Sequence, residues 1–92
     1  MGIQQNKALK VILLRGEIES KKIAEEIGVK NDTVVHLCEQ LQNRGLVRSR
    51  IVVGRENNHP FKKRYWAARP QMSQRIIRIL GLEGENVSIP PT

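Results

Sequence analysis

Cysteine and long apolar runs are scarce in this chain, and their scarcity excludes whole classes of protein. A single cysteine, Cys38, rules out an intramolecular disulfide and favours a reducing compartment. Residues 1–10 contain no signal-type apolar stretch, and the apolar run at residues 11–14 is far too short to cross a bilayer. The sequence therefore predicts an intracellular, cytoplasmic or DNA-associated protein without a membrane partner.

Signatures of catalysis are also missing. The chain has no glycine-rich phosphate loop, no paired carboxylates in an apolar setting and no nucleophile spaced from a base. The candidate soft metal ligands are His36, Cys38 and His59, and the first two point to different faces of a predicted helix. We therefore expect no enzymatic activity, no metal, no cofactor and no small-molecule ligand.

Positive charge is plentiful, and it is concentrated in one segment. Residues 47–69 contain seven basic side chains and one acidic one, so they carry +6 of the chain's net charge of +7. The three aromatic residues, Phe61, Tyr65 and Trp66, lie there too. Two β-like runs, residues 47–53 and 64–68, flank a turn-rich stretch. This pattern predicts a basic hairpin that binds a polyanion. Its two strands are separated by the turn-rich residues 54–60, and its tip, residues 57–60, is longer than a two-residue turn.

Apolar periodicity predicts four helices, each followed by a glycine. They span about residues 3–14, 20–27, 31–44 and 71–80. Ile18, isolated between charges, is expected to form a short strand that pairs with the hairpin. A side-chain oxygen of Glu19 or Ser20 is expected to cap the second helix.

This order of elements resembles the winged helix-turn-helix family of DNA-binding regulators. The likeness is carried by residues 23–34, by Cys38 and Leu41, and by residues 44–48. The resemblance implies an α+β, mostly helical fold with a three-helix core, a β-hairpin wing and an additional C-terminal helix. In that family Ala24 would pack where two helices cross, Gly28 would make the turn and Val29 would fill the space beneath it. Val34, Cys38 and Leu41 would anchor the third helix.

The implied domain organisation has three parts. Residues 1–69 form the winged helix-turn-helix domain, residues 70–81 a C-terminal helix and residues 82–92 a flexible tail. Met72, Ile76, Ile79 and Leu80 form an apolar stripe on the C-terminal helix. This stripe either folds back on the first helix or pairs with its copy in a second subunit, and we expect the homodimer.

The resemblance also implies which residues would meet double-stranded DNA. The third helix would enter the major groove and the wing would touch backbone or minor groove. Recognition-helix candidates are Lys30, Asn31, Asp32, Thr33, Val35, His36 and Gln40. Wing candidates are Arg48, Arg50, Arg55, Asn57, Asn58, Lys62, Lys63 and Arg64.

Each of these roles has a plainer alternative. Asn31 or Asp32 would serve equally as a helix cap, His36 as a solvated residue, and the hairpin tip as a mobile loop that orders on DNA. Asp32 and Glu39 make the outward face of the third helix non-basic. We therefore expect the wing to be the principal anchor, and Trp66 to be the aromatic buried against the third helix.

Two classes of function remain. The first is a sequence-specific or semi-specific DNA-binding protein, a repressor-like transcriptional regulator or an accessory factor in replication, partition or recombination. The second is a protein–protein interaction module whose basic wing docks an acidic protein.

Overall fold

A computed structural model describes residues 2–81 of the 92-residue chain, and the predicted tail at 82–92 lies outside these described residues. The winged helix-turn-helix architecture predicted from the sequence is confirmed, with helices packed against a three-stranded antiparallel sheet. None of the helices in residues 2–81 has the length and apolar character needed to cross a bilayer. The elements are α1 (Ile3–Arg15), β1 (Ile18–Glu19), α2 (Ser20–Ile27), α3 (Asn31–Asn43), β2 (Val47–Glu56), β3 (His59–Ala68), a 3₁₀ turn (Pro70–Met72) and α4 (Ser73–Leu80).

The turn between α2 and α3 follows from one glycine and one small residue. Gly28 has φ +72°, a left-handed conformation that side chains disfavour, and its N–H donates to the Ala24 carbonyl at 2.9 Å. Ala24 is buried between the helices, where a larger side chain would force them apart. Val29 is half-buried and packs on the core beneath the turn. The chain therefore reverses within three residues and starts α3 at a fixed angle.

The buried stripe of α3 holds it against the core. Val34, Cys38 and Leu41 are fully buried, at the i, i+4, i+7 spacing read from the sequence. Burial raises the pKa of the Cys38 thiol to about 12. The thiol is therefore protonated at neutral pH and behaves as a small apolar side chain.

The sheet has the order β1-β3-β2, and the short strand predicted at Ile18 is confirmed by its pairing with Trp66. Trp66 is fully buried, and its indole N–H donates to Ser20 Oγ at 2.8 Å. Ser20 Oγ in turn donates to the Arg64 carbonyl at 3.2 Å. The expected capping of α2 was wrong, because Glu19 at the N-cap makes no side-chain bond and the Ser20 hydroxyl is committed to β3.

The hairpin tip also differs from the prediction. Both strands continue further than expected and meet at a two-residue turn, Asn57-Asn58, with φ +52° and +64°. Asparagine tolerates this left-handed conformation, and such a turn matches the twist of the strands. Glu56 and His59 face each other across it, so the next pair, Arg55 with Pro60, is non-hydrogen-bonded and the missing proline N–H costs nothing.

Gly54 and Phe61 explain why a glycine occurs within β2. The two residues are directly opposite, and a Cβ at Gly54 would lie 2.6 Å from Phe61 Cζ. The Phe61 ring therefore lies across the glycine and covers the strand. Gly54, which suggested the start of a loop, instead makes room for an aromatic side chain.

Helix α4 folds back on α1. Ile76 is fully buried in the same core as Leu9 and Ile12, and Met72 and Leu80 pack partly against that core. Of the two arrangements left open by the sequence, folding back on the first helix is the one observed within the chain. Ile76 is therefore not available to a second subunit, whereas Ile79 is 39% exposed.

Candidate nucleic-acid interface

The wing, defined as β2, β3 and the Asn57-Asn58 turn, has two distinct sides. Directly paired residues of an antiparallel sheet project to the same side, so the register assigns every wing residue to one of them. The helix side, which continues the surface of α3, carries Ser49, Ile51, Val53, Arg55, Lys62, Arg64 and Trp66. The outer side carries Arg48, Arg50, Val52, Gly54, Phe61, Lys63 and Tyr65.

Contacts to α3 fix the inner end of the helix side. Ser49 Oγ donates to Gln42 Oε1 at 2.9 Å, which ties β2 to α3. The Arg64 guanidinium lies 4.3 Å from the centre of the Trp66 ring and donates to Ser49 Oγ at 3.3 Å. It also lies 4.0 Å from a carboxylate oxygen of Glu39. Arg64 is therefore half-buried between wing and helix, and is less free than the sequence indicated.

The outer half of the helix side is open to solvent. Ile51 and Val53 pair with residues of β3, but their side chains remain 52% and 72% exposed. Lys62 is directly opposite Val53, and Arg55 follows two residues later on the same side; both are exposed. The surface beside α3 thus combines exposed aliphatic groups with cations.

Arg50 on the outer side is held within the molecule. Its guanidinium donates two hydrogen bonds to the Glu17 carboxylate, at 2.8 and 2.5 Å, and lies 5.3 Å from the centre of the Tyr65 ring. The hydrogen bond from Arg50 lowers the pKa of the Glu17 carboxyl below its ordinary value. This pair joins the turn after α1 to the base of the wing. No local sequence pattern indicated it, because the partners are 33 residues apart.

The Glu17–Arg50 pair predicts a small, pH-dependent contribution to stability. Because the folded pKa of Glu17 is depressed, the stabilisation is present above the ordinary value of 4.5 and is lost as pH falls through the folded pKa. Both side chains are exposed to solvent, which screens their attraction, so the contribution is small. The free energy of unfolding of Glu17→Gln should fall below that of the wild type at neutral pH and converge with it in acid.

Urea unfolding at a series of pH values measures this difference. Glu25→Gln is the matched control, since it removes an exposed carboxylate that lies 3.7 Å from Lys22 on the same helix. A Glu17→Gln curve that stays parallel to the wild type through the acid range would contradict the prediction.

The remaining wing candidates are spread over both sides and the tip. Arg48 and Lys63 project from the outer side and are exposed, with the Lys63 ammonium 5.3 Å from the centre of the Phe61 ring. Asn57 and Asn58 are exposed at the tip, where their backbone forms the turn. The fold therefore brings the wing candidates onto one projecting hairpin, but not onto one surface.

The predicted recognition residues lie along α3 with unequal exposure. Lys30 is the N-cap residue and makes no side-chain cap bond; with Asn31, Asp32 and His36 it is exposed. Thr33, Val35 and Gln40 are half-buried. Because neither Asn31 nor Asp32 occupies the N-cap position, the plainer capping role does not account for them.

Gln40 is tied to α1. Gln5 Nε2 donates to Gln40 Oε1, and Gln40 Nε2 lies 3.1 Å from His36 Nε2. The contact joins residues 35 positions apart, so no local pattern indicated it. The start of α1 thus borders the outward face of α3.

Comparison with known families and structures agrees with this geometry. The TFIIE alpha subunit family model matches residues 1–80. Curated protein sequences give no significant match.

Solved structures with the same fold include several bacterial regulators. A MarR family regulator from Neisseria meningitidis has a TM-score of 0.65 at 18% identity, covering 92% of this chain and 56% of that one. The zinc-responsive MarR family member ZitR from Lactococcus lactis has a TM-score of 0.67 at 15% identity, covering 95% and 56%. The PcaV transcriptional regulator from Streptomyces coelicolor has a TM-score of 0.65 at 17% identity, covering 89% and 54%.

The chain thus spans just over half the length of these regulators, and at such identity the likeness concerns the fold. The family match covers nearly every described residue, and the helix-turn-helix and wing account for the same stretch. The chain has a winged helix-turn-helix fold and belongs to the TFIIE alpha subunit family.

Proposed function

We propose that this chain is a DNA-binding protein of transcription that holds double-stranded DNA chiefly through its wing. One observation carries the proposal: a hairpin with +5 of the net charge of +7 projects beside α3 on a winged helix-turn-helix. In this arrangement α3 enters the major groove, and the wing follows the backbone or minor groove. The proposal requires no catalytic residue and places the protein in the compartment that holds DNA.

The distribution of charge supports the wing as the main source of affinity for DNA. Lys30 is offset on α3 by Asp32 and Glu39, so the helix adds no net attraction for phosphates. In the wing, Arg55 and Lys62 are exposed on the helix side, and Arg48 and Lys63 on the outer side. Because the cations lie on both sides of one hairpin, they can contact the phosphates of both strands that border a DNA groove.

Equilibrium binding to a labelled DNA duplex tests the proposal. If four to six wing cations meet phosphates, log K falls against log salt concentration with a slope of roughly −4 to −5. Competition with unlabelled duplexes of random sequence then measures how much of the affinity is sequence-specific. Failure to bind any duplex at low salt concentration would overturn the proposal.

A second candidate function is a module that docks an acidic protein. It is favoured by Ile51 and Val53, because exposed aliphatic side chains beside cations are more typical of a protein interface than of a phosphate contact. Serine at both positions distinguishes the two functions. Binding of an acidic partner would be lost, whereas the salt slope for DNA would be unchanged.

Self-association is proposed through α1 and α4. These helices pack together and expose Ile79 and Ile3, of which Ile3 is 76% exposed. Glutamate at position 79 should convert a dimer into a monomer in sedimentation without lowering the melting temperature, because Ile76, Met72 and Leu80 still anchor α4. An unchanged sedimentation coefficient would count against this surface. Truncation before α4 is a poorer test, because it would remove Ile76 from the core.

A further inference from the structure

A chain of three hydrogen bonds links the start of α1 to the outward face of α3. The backbone N–H of Gly2 donates to Gln5 Oε1 at 3.4 Å. Gln5 Nε2 donates to Gln40 Oε1. Gln40 Nε2 lies 3.1 Å from His36 Nε2. His36 and Gln40 are candidates for DNA contact, but that role does not explain why these three hydrogen bonds join them to α1.

The backbone fixes the direction of every bond in this chain. A backbone N–H only donates, so the oxygen of Gln5 faces Gly2 and its NH₂ group faces Gln40. The oxygen of Gln40 then faces Gln5, and its NH₂ group faces His36. An NH₂ group also only donates, so His36 Nε2 must accept. In the neutral imidazole the single proton is therefore on Nδ1.

His36 occupies the part of α3 most distant from the core. It follows the fully buried Val34 by two residues, which turns it roughly 200° around the helix axis. Its side chain is exposed, and no hydrogen bond within residues 2–81 takes up its Nδ1. Asp32 lies one turn before it and Glu39 three residues after it, both exposed. Gln40 is half-buried behind it, in a supporting position.

We propose that Gln5 and Gln40 are positioning residues that fix His36 in its Nδ1–H tautomer, so that it presents a single directed donor to guanine in DNA. In the major groove guanine offers two acceptors, N7 and O6. Adenine offers one acceptor beside an amino donor, thymine one acceptor beside a methyl group, and cytosine only an amino donor, so a single N–H donor is matched best by guanine. Gln40, which the sequence indicated as a base contact, thereby acts through His36. The choice of base rests on the proposed DNA-binding function, and the tautomer does not.

Long-range ¹H–¹⁵N correlation spectra of the free protein test the tautomer directly, at a pH where the imidazoles are neutral. His59 is an internal control, since it is exposed in the wing and its side chain makes no hydrogen bond within residues 2–81. His36 should give the pattern of the Nδ1–H form, whereas His59 should give that of a solvated imidazole. Identical patterns for the two residues would overturn the proposal.

Two variants and a charge-matched control separate positioning from general support of the fold. Gln40→Glu replaces the donor with an acceptor of the same size, so His36 should switch to the Nε2–H form. Asn43→Asp adds the same charge at an exposed position of α3 and should leave His36 unchanged. Gln5→Leu acts from another helix and should shift His36 toward the pattern of His59. A His36 that stays in the Nδ1–H form in Gln40→Glu would contradict the proposal.

The choice of base is tested with the tightest duplex selected from a random library. Replacing each guanine in turn by 7-deazaguanine removes N7 and keeps base pairing. At one position the affinity should fall roughly fivefold to tenfold, and His36→Ala should bind both duplexes equally. Equal affinity at every position would overturn the guanine contact. Failure to bind any duplex would overturn that contact together with the proposed function, and the spectra of the free protein would still decide the tautomer.

Discussion

Glutamate at positions 55, 62 and 63 is expected to abolish DNA binding. Each replacement removes a cation from the wing and adds an anion, so the net charge changes by six units, from +7 to about +1. Three phosphate contacts would be lost and three repulsions gained. The affinity should fall by more than about a thousandfold at physiological salt concentration, and the salt slope should flatten by about 3. Titration of a labelled duplex at several salt concentrations measures both quantities.

A matched control separates the effect of the wing cations on affinity from the effect of the overall net charge. Lys7, Lys10 and Arg75 are exposed on α1 and α4, and their replacement by glutamate produces the same change in net charge. If the wing is the main grip, this control should weaken binding only through the long-range field and keep the slope of the wild type. Equal losses in the two triple variants would show that the net charge, and not the wing, governs affinity.

Local signals in the sequence predicted most of the fold. The end of a helix depends on the few residues around it, and a glycine there is a strong local stop signal. The helices α1, α2, α3 and α4 accordingly end close to Gly16, Gly28, Gly45 and Gly81. The buried stripe of Val34, Cys38 and Leu41 follows from helical periodicity alone. The pairing of Ile18 with the hairpin was also predicted, because an isolated apolar residue between charges suits a short strand, and the structure identifies Trp66 as its partner.

The errors arise where one residue type fits two structures. Gly54 and Pro60 suggested a long loop, although glycine also makes room for an aromatic ring and proline fits a non-hydrogen-bonded pair. Ser20 suggested a cap, but a buried indole N–H competes for the same hydroxyl. Ile76 suggested either a dimer or an internal contact, and periodicity alone does not distinguish them.

The candidate site was predictable in outline and not in detail. Charge clustering identified the wing as a basic hairpin. The fold determines three contacts of candidate residues that no local pattern indicated. Arg50 binds Glu17, Gln40 binds Gln5, and Arg64 lies over the ring of the buried Trp66. These contacts change which side chains are free to reach a ligand. Arg55, Lys62 and Lys63 are exposed without an ion pair among residues 2–81, so reversing their charges breaks no such contact within the protein.

Replacing Trp66 with alanine is expected to have the largest effect on stability. Trp66 is fully buried near the C-terminal end of β3, the central strand of the sheet, in the core shared with α1, α2 and α3. Removing its side chain leaves a large cavity, so the free energy of unfolding should fall by about 3–5 kcal/mol. That is a large part of the roughly 5–15 kcal/mol that stabilises a typical domain. Thermal and urea unfolding, monitored by circular dichroism, measure the change.

Two further variants show whether the loss comes from packing or from the hydrogen bond. Tyr65→Ala removes a half-buried ring from the opposite side of the same strand and should cost much less than Trp66→Ala. Ser20→Ala keeps the indole but leaves its buried N–H without the partner at 2.8 Å, at a cost of about 1–3 kcal/mol. If Trp66→Ala proved no more destabilising than Tyr65→Ala, the wing would not be anchored through Trp66. Arg64 lies on the Trp66 ring, and Lys62 precedes both residues on the same strand. The loss of that anchor would therefore also disorder the cations that we expect to hold DNA.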